Sequence, residues 1–497
     1  MIRGLLLGIL ACLVGLVAIV LIRTFTFGGA VGADRIALPE TPVIDTDMAA
    51  GRLSDVLQIR TITLQAGDPL PGREGPWREL EAYLEASYPA FHRAASKTHI
   101  ADLTLLYEWQ GSNPDLDPIL LMAHQDVVPV NIGTEDDWTA PPFAGRIVDG
   151  HVYGRGTLDN KASLIAIMEA AEALASTGYQ PERTVFIMLG HDEEVSGSGA
   201  RAGVAYLKER GLRMEMVLDE GFVVVDPFPL TGTPVGMIGV SEKGYVTIRL
   251  TSEAAGGHSS QPPRNSANVQ LSRAIVELEE NQMPADFSRP PVSEMIQATA
   301  SDMPFLQRMA FANVWLFRGM LEKEFAKTGA ANAIIRTTTA PTMLQGSIKE
   351  NVLPQKSTAL VNFRVHPNDS PDSVLAHVRD VIGDLEGVSA DFDETGGISS
   401  SASPVSPTDN RAYQVLASVA TETGDGAPAA PGLVIGATDA RWTVEISDNV
   451  YRFAPSVIPI EDLNGFHGTN ERISVENVGR LARGYAQIIK AMTSEAR

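Results

Sequence analysis

Cysteine, basic charge and histidine are all scarce in this chain, and each scarcity excludes something. A single cysteine, Cys12, rules out an internal disulfide framework and a cysteine-based metal cluster. Lysine and arginine number 39 against 61 aspartates and glutamates, a net charge of −22. No basic footprint is present to meet phosphates, which argues against nucleic-acid binding. That sign says little about a small substrate, because a site can differ in charge from the surface around it. Histidines number only nine, so those that follow apolar runs or sit among glycines carry information.

One apolar run stands apart. Gly4 to Ile22 carries no charge, with Arg3 before it and Arg23 after it. Its length suits the ~20 residues of a spanning helix, and the apolar core of a secretory signal looks similar. Ala30-Val-Gly-Ala33 is loosely like a cleavage site but lies well past the run. The expectation is an uncleaved membrane anchor with an extracytoplasmic body. Cleavage would make the protein secreted.

The length of 497 residues and 44% hydrophobic content suit a globular body of two or three domains. Several apolar, strand-like runs stop just before an acid or a histidine. His124 follows Pro118-Ile-Leu-Leu-Met-Ala, Glu193 and Glu194 follow Thr184-Val-Phe-Ile-Met-Leu, and Asp219 follows Met214-Glu-Met-Val-Leu. Asp159 precedes a helix-like run from Ala162 to Thr177, and His467 lies late, in Gly465-Phe-His-Gly. Strand, site residue, helix and strand in repetition predict a mostly parallel sheet covered by helices. Sites of such sheets form beyond the carboxyl ends of the strands. From Gly244 the texture changes to alternating strands and amphipathic helices. The expected fold is α/β: a catalytic domain with a mostly parallel central sheet, interrupted by a smaller α+β lid. The expected division is 1–33 for the anchor and spacer, 34–244 and 398–497 for the catalytic domain, and 245–397 for the lid. Phe305 to Glu324 reads as a helical insert or cover, and Phe305, Phe311, Trp315 and Phe317 as core, acyl channel or membrane contact.

Imidazoles with carboxylates suit zinc and related metals. The candidate ligands are His124, Asp159, Glu194, Asp219 and His467. Two metals need a bridging carboxylate among so few groups. Glu193 is then a free neighbouring carboxylate, suited to moving a proton. Asp126 is placed to hold the far nitrogen of the His124 ring. These residues alone leave peptidase, deacylase and phosphatase open.

His124-Gln-Asp126, Gly156-Thr-Leu-Asp-Asn-Lys161, Asp192-Glu-Glu194, Gly256-Gly-His-Ser-Ser260, Glu350-Asn-Val-Leu-Pro354 and Gly465-Phe-His-Gly468 together carry a resemblance. It is to the dinuclear zinc family of glutamate carboxypeptidase, aminoacylase and succinyl-diaminopimelate desuccinylase. Within it the chain looks like the branch of carboxypeptidase S and N-fatty-acyl-amino-acid synthase/hydrolase, over nearly everything from residue 48 onward. The resemblance implies a zinc-peptidase-like catalytic domain holding two Zn2+ per chain, with cobalt or manganese as substitutes. It makes Asp159 the bridge, His124 and Asp219 the partners of one ion, and Glu194 and His467 those of the other. It implies metal-activated water with Glu193 as general base and acid, and a cis peptide at Asp159-Asn160. It further implies His258 as a lid donor to the oxyanion, often across a dimer interface, Asn351 near the substrate, and Arg441 on a substrate carboxylate. Arg364 is a further carboxylate candidate, although a strand arginine can simply face solvent.

The implied activity is hydrolysis of N-acyl amino acids or of short peptides with a free C-terminal carboxylate. An aminopeptidase on a related core is the rival enzyme, and Arg441 counts against it. A catalytically silent, membrane-tethered binding protein would require a vacant ligand position, and none is vacant.

Overall fold

Ile119–His124 and Val185–Gly190 are buried at every position, as strands covered on both faces must be. They are neighbours in an eight-stranded sheet of the computed structural model, which describes residues 2–29, 35–393 and 399–494. The order across the sheet is Ser96–Ile100, Thr104–Trp109, Val185–Gly190, Ile119–His124, Met216–Asp226, Val450–Pro459, Val235–Glu242 and Ala429–Val434. The four strands from Val185–Gly190 to Val450–Pro459 run parallel. Antiparallel pairing completes the Ser96 edge. Parallel strands deliver their carboxyl ends to one edge of the sheet, and that edge carries the acids and His124.

Side chains alternate across a strand. Leu121, Ile187 and Leu218 therefore join one core, while Leu120, Met122, Phe186, Met188 and Val217 join another. Helices Thr46–Leu57, Ala162–Ser176, Arg411–Thr423 and Val475–Thr493 fill the first core; Ser198–Glu209 and the turn Asp439–Glu445 fill the second. Asp45, Asn410 and Ser474 cap three of these helices by accepting a first-turn backbone N–H.

The middle of the chain builds a second, four-stranded antiparallel sheet. Its order is Thr338–Gln345, Lys356–Val365, Gly244–Glu253 and Val388–Phe392. Buried and half-buried residues alternate along Gly244–Glu253 and Lys356–Val365. The buried set packs with helices Ala267–Glu280 and Pro371–Ile382 into a core of its own. This is the lid-like α+β body.

Four further helices, Val292–Thr299, Phe305–Ala312, Val314–Phe325 and Gly329–Ile335, interrupt the lid in sequence. Their buried residues, Met295, Ile296, Phe311, Leu321 and Phe325 among them, pack into the main core instead. The helical insert expected over Phe305 to Glu324 is two helices, with a break at Asn313. The Asn313 amide turns to the N-terminal helix Ile2–Thr26, donating to the carbonyl of Val20 at 3.3 Å. That first helix is long and apolar enough to cross a membrane, and nearly all of it is exposed.

Candidate metal centre

His124 ends its strand and is 1% exposed. Its Nδ1 donates to the backbone carbonyl of Asp126 at 2.9 Å, with the Asp126 carboxylate at 3.4 Å. The ring is thus held chiefly through the Asp126 carbonyl. The Asp126 carboxylate does something else. It accepts from Thr63 Oγ1 at 2.8 Å and from the backbone N–H of Glu193 and Glu194 at 3.1 and 3.2 Å. One buried acid therefore orients both the His124 segment and the Glu193-Glu194 turn.

Asp159 stands between two imidazoles. Its Oδ1 lies 2.9 Å from His124 Nε2, and its Oδ2 lies 3.1 Å from His467 Nε2. Glu194 Oε2 is also 3.1 Å from His467 Nε2. The Asp159-Asn160 peptide is cis, as the family resemblance implies. Gly156, at φ 86°, lets the preceding loop turn tightly, and a Cβ there would lie 2.4 Å from Val127.

On the other side of His124 the residue brought in is Glu220, not Asp219. Glu220 Oε1 is 3.2 Å from His124 Nε2, and Asn160 Nδ2 donates to its second oxygen. Asp219 turns away and accepts from the N–H of Glu220 and of Ala440, at 2.9 and 2.8 Å. The reason is strand parity: neighbouring side chains point to opposite faces, so only one of the pair can meet His124. His124, Glu193 and Glu220 form one group able to hold an ion, and His124, Asp159 and Glu194 another, each with its donor atoms within 4.8 Å of one another.

Charge agrees with that assignment. Burial pushes Glu193 and Glu194 upward, and Glu220 up to about 7. Burial opposes ionisation of Asp159 too, but its bonds to His124 and His467 hold it below the usual carboxylate range. The bonds to Asp159 and Glu194 raise His467 to about 10. Glu194 Oε1 is buried without a hydrogen-bond partner. Four carboxylates against two imidazoles leave negative charge that a divalent cation would satisfy, and the nitrogen and oxygen donors suit zinc.

The other expected site residues are distributed unevenly. Arg441 reaches the loop beyond Glu194, donating from Nη2 to the Ser196 carbonyl at 3.1 Å and stacking 5.0 Å from the Trp442 ring. Its Nε is buried without a partner. His258 lies in a short ribbon, Gly257–His258 against Val352–Leu353, and its Nδ1 accepts from Ser260 N at 3.1 Å. The Asn351 carbonyl accepts from Ser259 N in the same ribbon, so the structure brings His258 and Asn351 together on the lid. Arg364 stacks on Tyr245, 5.0 Å from the ring centre. Among the described residues no hydrogen bond or ion pair links His258, Asn351 or Arg364 to the metal cluster.

Glu471 was not anticipated. Fully buried, it accepts from the backbone N–H of Gly156, Leu158 and Asp159 at 2.9, 2.6 and 3.1 Å, and from Arg155. Arg155 in turn donates to the Gly468 carbonyl at 3.0 Å. This pair ties the Asp159 loop to the His467 loop. A lone glutamate shortly after a glycine-flanked histidine carries no sequence signal for that role.

The chain matches the sequence model of Peptidase family M20/M25/M40 over residues 120–491. It is 36% identical to the N-fatty-acyl-amino acid synthase/hydrolase PM20D1 of Xenopus tropicalis, covering 98% of this chain and 94% of that one. It is 33% identical to the probable carboxypeptidase S-like 2 of Dictyostelium discoideum, covering 98% and 93%. Among solved structures, the M20 family metallo-carboxypeptidase Sso-CP2 from Sulfolobus solfataricus superposes with a TM-score of 0.62 at 17% identity, covering 89% and 98%, a likeness of fold. Matched along most of its length and carrying the His, Asp and Glu cluster at the sheet edge, the chain belongs to peptidase family M20/M25/M40 and is a metal-dependent hydrolase of amide or peptide bonds.

Proposed function

We propose that the protein hydrolyses the amide bond of N-acyl amino acids, or of peptides with a free C-terminal carboxylate, at a centre of two zinc ions. The observation that carries this reading is Asp159, one carboxylate facing His124 with one oxygen and His467 with the other. His124 and Glu220 would hold one ion beside Asp159, and Glu194 and His467 the other. When bound, such ions polarise a carbonyl and lower the pKa of water. Glu193 takes a proton from the attacking water and returns it to the leaving nitrogen. Burial raises its pKa, which favours a group that must both accept and give a proton near neutrality. Asp126 positions that carboxylate through the Glu193 N–H.

Arg441 supplies the carboxylate specificity. Its planar fork has an unpartnered buried donor beside the Glu194 loop, and a carboxylate matches such a fork. The names of the relatives, carboxypeptidase S-like and N-fatty-acyl-amino acid synthase/hydrolase, agree in requiring a carboxylate next to the scissile amide. His258 and Asn351 act from the lid once it closes. Arg364 is held on Tyr245 and serves the lid sheet. Met343 and Leu344 are exposed on the edge strand Thr338–Gln345, which supports pairing of two copies through the lid. The Ile2–Thr26 helix anchors an extracytoplasmic body.

The test is kcat and KM for an N-acyl amino acid and its C-terminal amide, in wild type, Arg441→Ala and His258→Ala. Wild type should prefer the free acid, and Arg441→Ala should erase most of that preference. His258→Ala should lower kcat for both substrates, by about 10²–10³ if it donates to the oxyanion, and leave the preference intact. A wild type that cleaves the amide as well as the acid would remove the carboxylate anchor. A requirement for a free α-amine would make the protein an aminopeptidase.

A further inference from the structure

The helix Val314–Phe325 is apolar on two faces. Leu321 and Phe325 point into the main core, while Trp315, Leu316 and Met320 are exposed at 57%, 45% and 54%. Leu316 and Met320 are one turn apart on the exposed side of the helix, and Trp315 borders that pair. The preceding helix, Phe305–Ala312, adds Phe305 and Leu306, the latter 70% exposed. These five exposed apolar side chains sit on two consecutive helices, and exposed apolar residues grouped in this way mark an interaction site.

The location of the patch decides what covers it. These two helices are bonded to the end of the N-terminal apolar helix. Asn313 Nδ2 donates to the Val20 carbonyl, and Arg23 Nε donates to the Ala312 carbonyl at 3.0 Å. Arg308 Nη2 donates to the Phe27 carbonyl at 2.7 Å, and Phe25 lies against Phe305 with ring centres 5.9 Å apart. Val20 and Thr24 are buried by this contact, on a helix otherwise open along its length.

If the helix spans a bilayer, these bonds set the depth of the insert. Leu5–Thr26 has 22 residues, which at about 1.5 Å each roughly match the ~30 Å hydrocarbon layer. Wherever between Ile22 and Thr26 the span ends, Val20 lies roughly 3–9 Å inside it. Residues bonded to Val20, Arg23 and Thr24 cannot stand clear of the membrane surface. Tryptophan and basic side chains suit that level; exposed Lys323 lies close to Met320 along the helix, and exposed Arg318 is paired with Glu322 at 2.8 Å.

We propose that the insert from Phe305 to Met320 is a membrane-docking platform, its exposed apolar face seated in the headgroup–acyl boundary beside the anchor. The platform holds the catalytic body in one orientation on the bilayer instead of letting it swing on a tether. This rests on reading Ile2–Thr26 as an uncleaved anchor.

The test uses the full-length chain with Cys12→Ala, which removes the native thiol, and Leu316→Cys labelled with an environment-sensitive fluorophore. Trp315→Cys gives a second reporter on the same face. Ile132→Cys, at a position 98% exposed on the catalytic body, is the aqueous control. Each is reconstituted into phosphatidylcholine vesicles with or without brominated acyl chains. The Leu316 and Trp315 labels should lose most of their emission to brominated lipid and little to aqueous iodide, and the Ile132 label the reverse. A chain that fails to float with the vesicles overturns the anchor and this proposal together. A chain that floats but leaves the Leu316 label open to iodide overturns this proposal alone. Shielding from both quenchers would place a second copy on the patch and overturn it as well.

Discussion

Asp126, Asp159, Glu193, Glu194 and Glu220 crowd acidic groups around two imidazoles, and distant parts of the chain orient them. Asp126 holds the turn of Glu193 and Glu194, Asn160 holds Glu220, and Glu471 holds the backbone of Asp159. The roles of neighbours therefore separate sharply. Glu220→Ala should lower the metal content of the purified protein, whereas Asp219→Ala should retain it and loosen the turn at Ala440. Elemental analysis of the two variants decides this, and metal loss confined to Asp219→Ala would reverse the assignment. Glu193→Gln should keep its metals and lose about 10²–10⁴ in kcat. Near-normal turnover in that variant would take Glu193 out of the proton-transfer role.

At the scale of elements, the joint between the two sheets is Lys243. It separates Val235–Glu242 of the main sheet from Gly244–Glu253 of the lid and is 3% exposed. Its Nζ donates to the carbonyls of Ala333 and Arg336, at 3.0 and 2.8 Å, where the helix Gly329–Ile335 ends. Burial, with Arg364 adding repulsion and Asp369 opposing, lowers its pKa from 10.5 to about 7. The folded state thus gives up this proton near pH 7, while the unfolded chain keeps it to about pH 10.5. Between those values the unfolded state binds more protons, so this residue makes stability rise with pH, by at most about 1.4 kcal/mol per unit. Urea unfolding from pH 7 to 9 should show a steeper rise in wild type than in Lys243→Met. Equal slopes would show that Lys243 does not titrate in that window. The lid elements themselves were readable from alternation and amphipathic spacing, as in Pro371–Ile382. The break at Asn313 was not, because its partners Val20 and Thr24 lie far away in sequence.

For the whole molecule, an acidic body sits behind one long apolar helix. Apolar burial does not weaken with ionic strength as charged contacts do. Full-length protein should therefore sediment with membranes and stay there in high salt. Release by salt would contradict an anchor, and a native amino terminus near Asp34 would show a cleaved signal instead. Three cores divide the rest: one on each face of the main sheet and one within the lid, with the insert packed into the core that holds Leu121 and Ile187.

By itself the sequence determined the chemistry available and the kind of sheet that presents it. Apolar runs ending in His124 or in Glu193-Glu194 specify buried parallel strands with polar ends, because unbroken burial and strand-end placement are local properties of the chain. Only the tertiary structure shows Glu220 rather than Asp219 facing His124, since strand parity relative to His124 depends on register with the neighbouring strand. It alone revealed Glu471 and Arg155, whose partners come from loops more than 300 residues apart. It alone separated Phe311, which is buried, from Phe305 and Trp315, which are exposed, because composition does not say which side of a helix meets a core.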